Sequence, residues 1–344
     1  MAGIRVAPAQ VRAFCTEALE ATGVPAQDAA VVAANLVEAE LRGLSSHGVS
    51  RLGIYIDNLL KGNYNPRPDI KILQERNSTM LIDGDFAVGA ISGTRAMSLC
   101  LEKAEQTGAS FAAVCKGTHF GIAGFYSMMA LERNMIGIAM CNSILLMSVY
   151  GGISRTLGTN PLSIAIPAGI RYPLVFDAAT SQVAVGKIMV AELEGQQIPE
   201  GWAIDQHGSP TTDPQEAMAG AALPFGGYKG SGLAIMVNVF STMLSGAFLS
   251  VKPGGSQIAF FFGAIDVASF QDVDAFKQGI DAMIEELKTS PKAAGAGEIY
   301  MPGELEYLRK ESNSQHGIEI GPGVLRELKN VKNKLALSND PDQW

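Results

Sequence analysis

Apolar residues recur at helical spacing three times between residues 7 and 61, and prolines and glycines separate the three segments. Pro8 and Pro25 stand where helices begin, because a missing N–H costs nothing in a first turn; Gly23, Gly43 and Gly62 stand where they end. In the third segment Val49, Leu52, Ile56 and Leu59 form one apolar stripe. His47, Ser50, Arg51, Tyr55 and Asn58 share the opposite side, which is polar and aromatic instead of rich in lysine and glutamate. Such a side suits a cleft or a partner chain better than bulk water.

From about residue 74 the pattern changes. Short apolar runs at 79–83, 110–116, 136–142, 162–167, 174–177 and 256–267 predict strands, and longer periodic stretches predict helices over 88–107, 122–133 and 273–288. Residues 199–214 and 291–303 are turn-rich loops, and helices near 304–312 and 321–336 close the chain. The stretch 233–251 has no charge and is long enough to span a bilayer. Its Asn238, Ser241, Thr242, Ser245 and Gly246, with no basic flank, instead predict a helix buried in a soluble core. No period of about 20–50 residues recurs, so the fold is not a repeat array. Mixed α/β with a helical N-terminal portion is the expected class.

Composition narrows the functions. The 344 residues are 47% hydrophobic and 17% charged, enough for a sizeable core. Only the polar tail 338–344 is expected to be disordered. A net charge of −8 without a basic run argues against nucleic acid and against an anionic membrane surface. Cys15, Cys100, Cys115 and Cys141 form no Cys-x-x-Cys pair and read as buried free thiols of a reducing compartment. Charged and polar residues interrupt the first dozen positions, so no signal-peptide core is expected and the protein is placed in the cytoplasm. Neither a metal-ligand pattern nor a Gly-x-Ser-x-Gly elbow occurs.

The candidate chemistry centres on His47 and Arg51. On an α-helix, positions i and i+4 lie about 6 Å apart on one face. An imidazole there moves a proton while the guanidinium holds a carboxylate; the plain alternative is a helix-start histidine and a solvated arginine. No Gly-x-Gly-x-x-Gly exists: Gly230-Ser-Gly232 comes nearest and fails at Ile235, which disfavours a doubly wound dinucleotide fold. The glycine-rich run from Pro224 to Leu233 enters a helix, making either an anion site with Lys229 or a tight turn for close packing. His119, in the run Gly117 to Gly124 after a predicted strand, contacts a ligand or caps its own loop. Asp177 ends a strand ahead of Thr180 and Ser181, as pocket residue or helix cap. Lys187, alone in an apolar run, is paired, functional or snorkelling. His207 and His316 are structural or exposed.

Taken together, Ser45-Ser-His-Gly-Val-Ser-Arg-Leu52, Thr118-His-Phe-Gly-Ile-Ala-Gly124, Leu157-Gly-Thr-Asn-Pro161, Val175-Phe-Asp-Ala-Ala-Thr-Ser181, Gly186-Lys-Ile188, Ile198-Pro-Glu-Gly-Trp-Ala203, Pro210-Thr-Thr-Asp-Pro214, Leu223-Pro-Phe-Gly-Gly-Tyr-Lys-Gly230 and Met301-Pro-Gly-Glu304 resemble the type-2 malate/L-lactate dehydrogenase family. That family includes ureidoglycolate, sulfolactate and diketogulonate oxidoreductases and cyclic-imine reductases. The blocks run in order from residue 45 to 304, nearly the whole chain. The resemblance implies a non-Rossmann, L-sulfolactate dehydrogenase-like fold and a homodimer with active sites near the subunit interface. It divides the chain into a helical, dimerising portion (1–73 with 291–344) and a mixed α/β domain (74–290) holding NAD or NADP. It implies oxidation of a small 2-hydroxy acid, with His47 as general acid/base, Ser46 holding its ring and Lys187 beside it; His119 is the second choice for the proton. Arg51 would bind the substrate carboxylate, with Thr159, Thr180 and Ser181 lining the pocket. His119, Phe120, Gly121, Ile122, Ala123, Ser143, Asp177, Ala178, Ala179, Tyr228, Lys229, Pro302, Gly303 and Glu304 would hold the cofactor. Lys187 is similar to the hydroxy-acid members, where imine-reducing relatives carry an aspartate. The rival readings are a cyclic-imine reductase and a non-catalytic nucleotide-binding protein.

Overall fold

The computed structural model describes residues 3–247 and 258–344. Strand Ile258–Asp266 is buried over 259–264 and anchors the main sheet; a run apolar on both faces is what a central strand requires. The sheet has seven strands, in the order Lys71–Glu75, Thr79–Asp83, Ala109–Gly117, Ile258–Asp266, Met135–Cys141, Leu162–Ile166 and Leu174–Ala178. Neighbours are antiparallel except Thr79–Asp83 and Ala109–Gly117, which run parallel and are joined by helix Gly89–Thr107. A sheet with one parallel pair is not doubly wound, as the missing glycine fingerprint predicts.

Side chains of the central strand alternate between two layers. Phe260 lies 4.9 Å from Phe120 and Phe262 lies 5.3 Å from Tyr126, on the side covered by Gly89–Thr107 and Ala123–Ser127. Phe261 turns the other way, 5.0 Å from Phe240. The predicted helix over 122–133 is helix Ala123–Ser127 continued by the 3-10 turns Met128–Arg133.

A second core is helical. Pro8–Glu20, Ala26–Leu41 and Leu52–Leu60 pack with Pro322–Leu335 around Phe14, Leu19, Leu36, Leu52 and Ile56. Strand Ile4–Val6 pairs with Ile318–Ile320 and ties the two ends of the chain together.

Three expectations are corrected. The tail from 338 is ordered by contact: Glu17 accepts hydrogen bonds from Ser338 and Asn339, and Trp344 meets Phe14 edge-on at 5.5 Å. The loop 199–214 contains strands Ala203–Ile204 and Pro210–Thr211 of a small five-stranded sheet. The segment 233–251 is not a buried helix. Helix Tyr228–Asn238 passes into a π turn, Val239–Met243, and Leu233, Met236, Val239, Met243 and Leu244 are all exposed; residues 248–251 lie outside the described residues. Among the described residues no helix is long and apolar enough to cross a membrane. All four cysteines are free and buried.

Candidate active site

The chain between helices Ala26–Leu41 and Leu52–Leu60 is not α-helical at His47 and Arg51. Two 3-10 turns, Ser45–His47 and Val49–Arg51, are separated at Gly48 (φ −88°, ψ −145°), which corrects the expectation of one shared helix face. Arg51 instead reaches back, its Nε donating to the Ser46 carbonyl at 2.7 Å. The guanidinium is thereby held over the turn that carries His47. Ser46 Oγ lies 2.9 Å from His47 Nδ1, which leaves Nε2 for another partner.

His119 arrives from the sheet. It sits on the loop between Ala109–Gly117 and Ala123–Ser127, and that loop is anchored from several sides. Thr118 Oγ1 donates to the Ala87 carbonyl at 2.7 Å, and Asn35 Nδ2 and the Tyr126 hydroxyl both donate to the Phe120 carbonyl. Gly121 has φ +81°, and a Cβ there would lie 1.9 Å from Asn35 Oδ1, so this position requires glycine. The His119 ring stacks on His47 with centroids 5.6 Å apart, and the hydroxyl of buried Tyr55 lies 2.7 Å from His119 Nδ1.

Removal from water pushes both imidazoles down, and the Arg51 guanidinium pushes the same way: His47 to about 4 and His119 to about 3, the latter also opposed by His47. Both rings are therefore neutral at pH 7 and fit to accept a proton. Burial conversely raises the Tyr55 hydroxyl and keeps it protonated.

A third wall comes from the far part of the chain. A Cβ on Gly186 would lie 3.8 Å from Ser46 Cβ, so helix Val185–Glu194 brings its first turn against the His47 loop. Lys187 lies in that turn and is exposed. Thr159 Oγ1 meets Ser143 Oγ at 3.2 Å, and both are partly open. Thr180 and Ser181 are buried, their hydroxyls donating to the Thr159 and Val183 carbonyls. Asn160, fully buried, joins this wall to helix Tyr228–Asn238 by accepting from the Ser143 amide and donating to the Ala234 carbonyl.

The glycine-rich turn spends its amides locally. Gly227, Lys229 and Gly230 donate to the carbonyls of Pro224, Gly226 and Phe225, and Phe225 donates to Thr180. These bonds close the turn on itself, and it presents the exposed side chains of Tyr228 and Lys229. At the opposite end Asp177 accepts from the Gly124 amide at 2.7 Å, capping a helix from another element. The Asp177 side chain opens into a cleft, yet the walls desolvate its carboxyl. That raises it to about 6 against the pull of the Gly124 amide and Arg42. Arg42, Gly124, Asp177, Pro302 and Gly303 border a cavity of about 170 Å³. A Cβ on Gly303 would collide with Val175, and the Pro302 carbonyl accepts from the Val175 amide. His207 and His316 are exposed. Among the described residues no group of three or more His, Cys, Asp or Glu could hold a metal.

Tyr55 was legible only as part of a polar helix side. Asn35 and Tyr126 carried no signal at all, because their partners lie 85 and 6 residues away on a backbone carbonyl.

The contacts among the expected residues are Asp177 with the Gly124 amide, His47 with His119, Ser46 beside Gly186, and Thr159 with Ser143. A malate/L-lactate dehydrogenase family model matches residues 6–329. Malate dehydrogenase of Pyrococcus horikoshii is 41% identical over 97% of this chain and 96% of its own length. L-sulfolactate dehydrogenase of Methanocaldococcus jannaschii is 39% identical over 96% of this chain and 97% of its own. The solved structure titled sulfolactate dehydrogenase from that organism superposes with a TM-score of 0.92, covering 99% of both chains at 38% identity. Fold and relatives define the class: a hydroxy-acid oxidoreductase on a non-Rossmann, mixed-sheet scaffold. Within it, the chain belongs to the malate/L-lactate dehydrogenase family.

Proposed function

We propose that this enzyme interconverts a small 2-hydroxy acid and its 2-oxo acid, with His47 as the general acid/base and Arg51 as the carboxylate anchor. The stacked, neutral imidazoles beside a guanidinium carry this reading. His47 takes the substrate hydroxyl proton at Nε2, since Nδ1 is engaged by Ser46. His119 is the second proton-handling candidate. With the Tyr55 hydroxyl 2.7 Å from its Nδ1, the tautomer in which Nδ1–H donates to the Tyr55 oxygen leaves Nε2 free to accept a proton from substrate. Arrival of the substrate carboxylate beside Arg51 offsets the positive charge and raises both imidazoles, favouring proton capture as the reaction begins.

Relatives at 30% identity are named for NAD(+) or NADP(+), and a nicotinamide dinucleotide is the cofactor assigned to these walls. The cleft end supplies a carboxylate (Asp177) and close backbone at Gly124 and Gly303, suited to hydroxyl-bearing ribose. His119 to Ala123, Ser143, Asp177 to Ala179, Tyr228, Lys229 and Pro302 to Glu304 are the residues assigned to hold it. When bound, the nicotinamide accepts the hydride from substrate C2. Thr159, with Thr180 hydrogen-bonded to its carbonyl, and neighbouring Ser181 are assigned to the substrate wall.

Two of the similar relatives are named for malate and sulfolactate, acids with a second anion on C3. Lys187, one residue from the contact with Ser46, is assigned to that second anion. The exposed apolar face of Leu233, Met236, Val239, Met243 and Leu244 is assigned to pairing with a second copy, although it lies within 74–290 and outside the helical portion. The test is a panel of pyruvate, oxaloacetate, sulfopyruvate, oxalurate and a cyclic imine with NADH and NADPH, followed at the nicotinamide absorbance. Oxaloacetate and sulfopyruvate are expected to lead; turnover of the imine alone overturns the assignment.

A further inference from the structure

Glu40 is a glutamate only 3% exposed at the end of helix Ala26–Leu41, and none of the roles above uses it. Its two oxygens are spent on the two 3-10 turns that carry the proposed acid/base and anchor. Oε2 accepts from Ser45 Oγ at 2.7 Å, in the turn of His47; Oε1 accepts from the Val49 amide at 2.9 Å, in the turn of Arg51. Between those two turns is Gly48. A Cβ there would lie 2.1 Å from Glu40 Oε1 and 2.5 Å from its carboxyl carbon. The carboxylate therefore occupies the space that a side chain at 48 would fill.

The root of the side chain is itself fixed. Asn313 Nδ2 donates to the carbonyls of Glu40 and Leu41, tying this helix end to helix Glu304–His316. A rigid carboxylate facing a gap at Gly48 supplies the physical reason that the chain breaks into two turns instead of one helix. An uninterrupted helix would satisfy the Val49 amide with a carbonyl four residues back; here Glu40 satisfies it.

We propose that Glu40 is the positioning residue of the active site, clamping both 3-10 turns so that His47 and Arg51 face one substrate. This rests on the roles proposed above for His47 and Arg51. It makes three substitutions interdependent. Glu40→Ala removes the clamp. Gly48→Ala leaves the carboxylate in the chain but expels it from between the turns. Glu40→Gln keeps an acceptor for the Val49 amide and a group that Ser45 Oγ can meet.

The experiment measures kcat and KM with oxaloacetate and NADH, NADH affinity by fluorescence titration, and hydrogen exchange of the peptide spanning 44–52. Misplacing reacting groups by about 1 Å costs about 10²-fold, so a loss of that size in kcat/KM is expected for Glu40→Ala and for Gly48→Ala, with NADH affinity unchanged. Exchange over 44–52 should rise in both, and Glu40→Gln should restore most of the activity. In Glu40→Ala the space beside position 48 is empty, so adding Gly48→Ala is expected to cause no further loss. Independent, additive losses overturn the proposal, as does unchanged exchange in Glu40→Ala. A lowered melting temperature with kcat/KM intact overturns it too, provided that His47→Ala is inactive. If exchange rises while both Glu40→Ala and His47→Ala retain turnover, the clamp stands and the role given to His47 has failed.

Discussion

The two long walls of this site are built in opposite ways. The wall holding His119 is braced from within: its loop is fixed by Thr118, Asn35, Tyr126 and Tyr55, and the two imidazoles are half-buried. The wall formed by 143–150 and 224–244 faces outward. Tyr150 and Tyr228 are 65% and 66% exposed, and an apolar helix face continues from them. The first wall is held by hydrogen bonds within one chain, although Asn35 Oδ1 is buried there without a hydrogen-bond partner. The second leaves its apolar helix face exposed, and the cofactor and second copy proposed above would cover it. In that proposal pre-organisation belongs to the first wall and assembly to the second.

The most severe way to break the internal wall is His47→Ala. A positioned acid/base contributes about 10²–10⁴-fold, so kcat should fall by that range while NADH binding, read by fluorescence titration, stays near wild type. Loss of NADH binding instead would move His47 to the cofactor site.

The matching break in the outer wall is Met236→Glu with Leu244→Glu. If two copies meet there, each brings unpaired carboxylates into an apolar interface at a cost of several kcal/mol. At 1.4 kcal/mol per tenfold, the dimer dissociation constant should rise by about 10²-fold or more. Light scattering after size exclusion reads this directly. A double variant with wild-type mass places the interface elsewhere.

Arg51→Ala should act mainly on KM. A hydrogen bond to a charged group contributes about 1.5–3 kcal/mol, which corresponds to about 10–150-fold in KM for a 2-oxo acid. The deficit should shrink for a substrate without the carboxylate. An equal deficit for both would make Arg51 a structural brace of the Ser46 carbonyl instead of an anchor.

The difference between the walls also explains what the sequence could disclose. Strand Thr79–Asp83 and helix Gly89–Thr107 were readable because local periodicity and their own packing demand agree. The π turn at Val239–Met243 was not, and the apolar length of 233–251 suggested a core helix. One chain's sequence does not distinguish a face covered by its own core from a face covered by another copy. His47 and Arg51 were recognisable as a pair, but their conformation was not. The break at Gly48 depends on a carboxylate eight residues earlier in the chain, which helical spacing does not encode. Contacts such as Gly186 with Ser46 and Asp177 with Gly124 join segments far apart in sequence. Only the resemblance placed those segments in one site, and only the fold gives the physical reason.

The smallest expected effect is the most specific to the inner wall. In the role proposed for it His47 is a base in its neutral form, so hydroxy-acid oxidation would be lost as pH falls through its pKa. An ordinary histidine would place that loss near 6.5. Desolvation first, and Arg51 second, lower His47 to about 4. The acid limb of kcat/KM for malate oxidation, at saturating cofactor, should therefore fall nearer 4 than 6.5. Removing Arg51 takes away the second cause and leaves the first, so in Arg51→Ala the limb should move upward but stop short of 6.5. The position of a limb is independent of plateau height, so the large KM effect of the same variant does not obscure it. A limb that stays at 6.5 in both proteins means that His47 is solvated during turnover and that the inner wall opens. A limb that moves downward in Arg51→Ala contradicts the sign of the guanidinium's influence and removes Arg51 from the neighbourhood of the reacting proton.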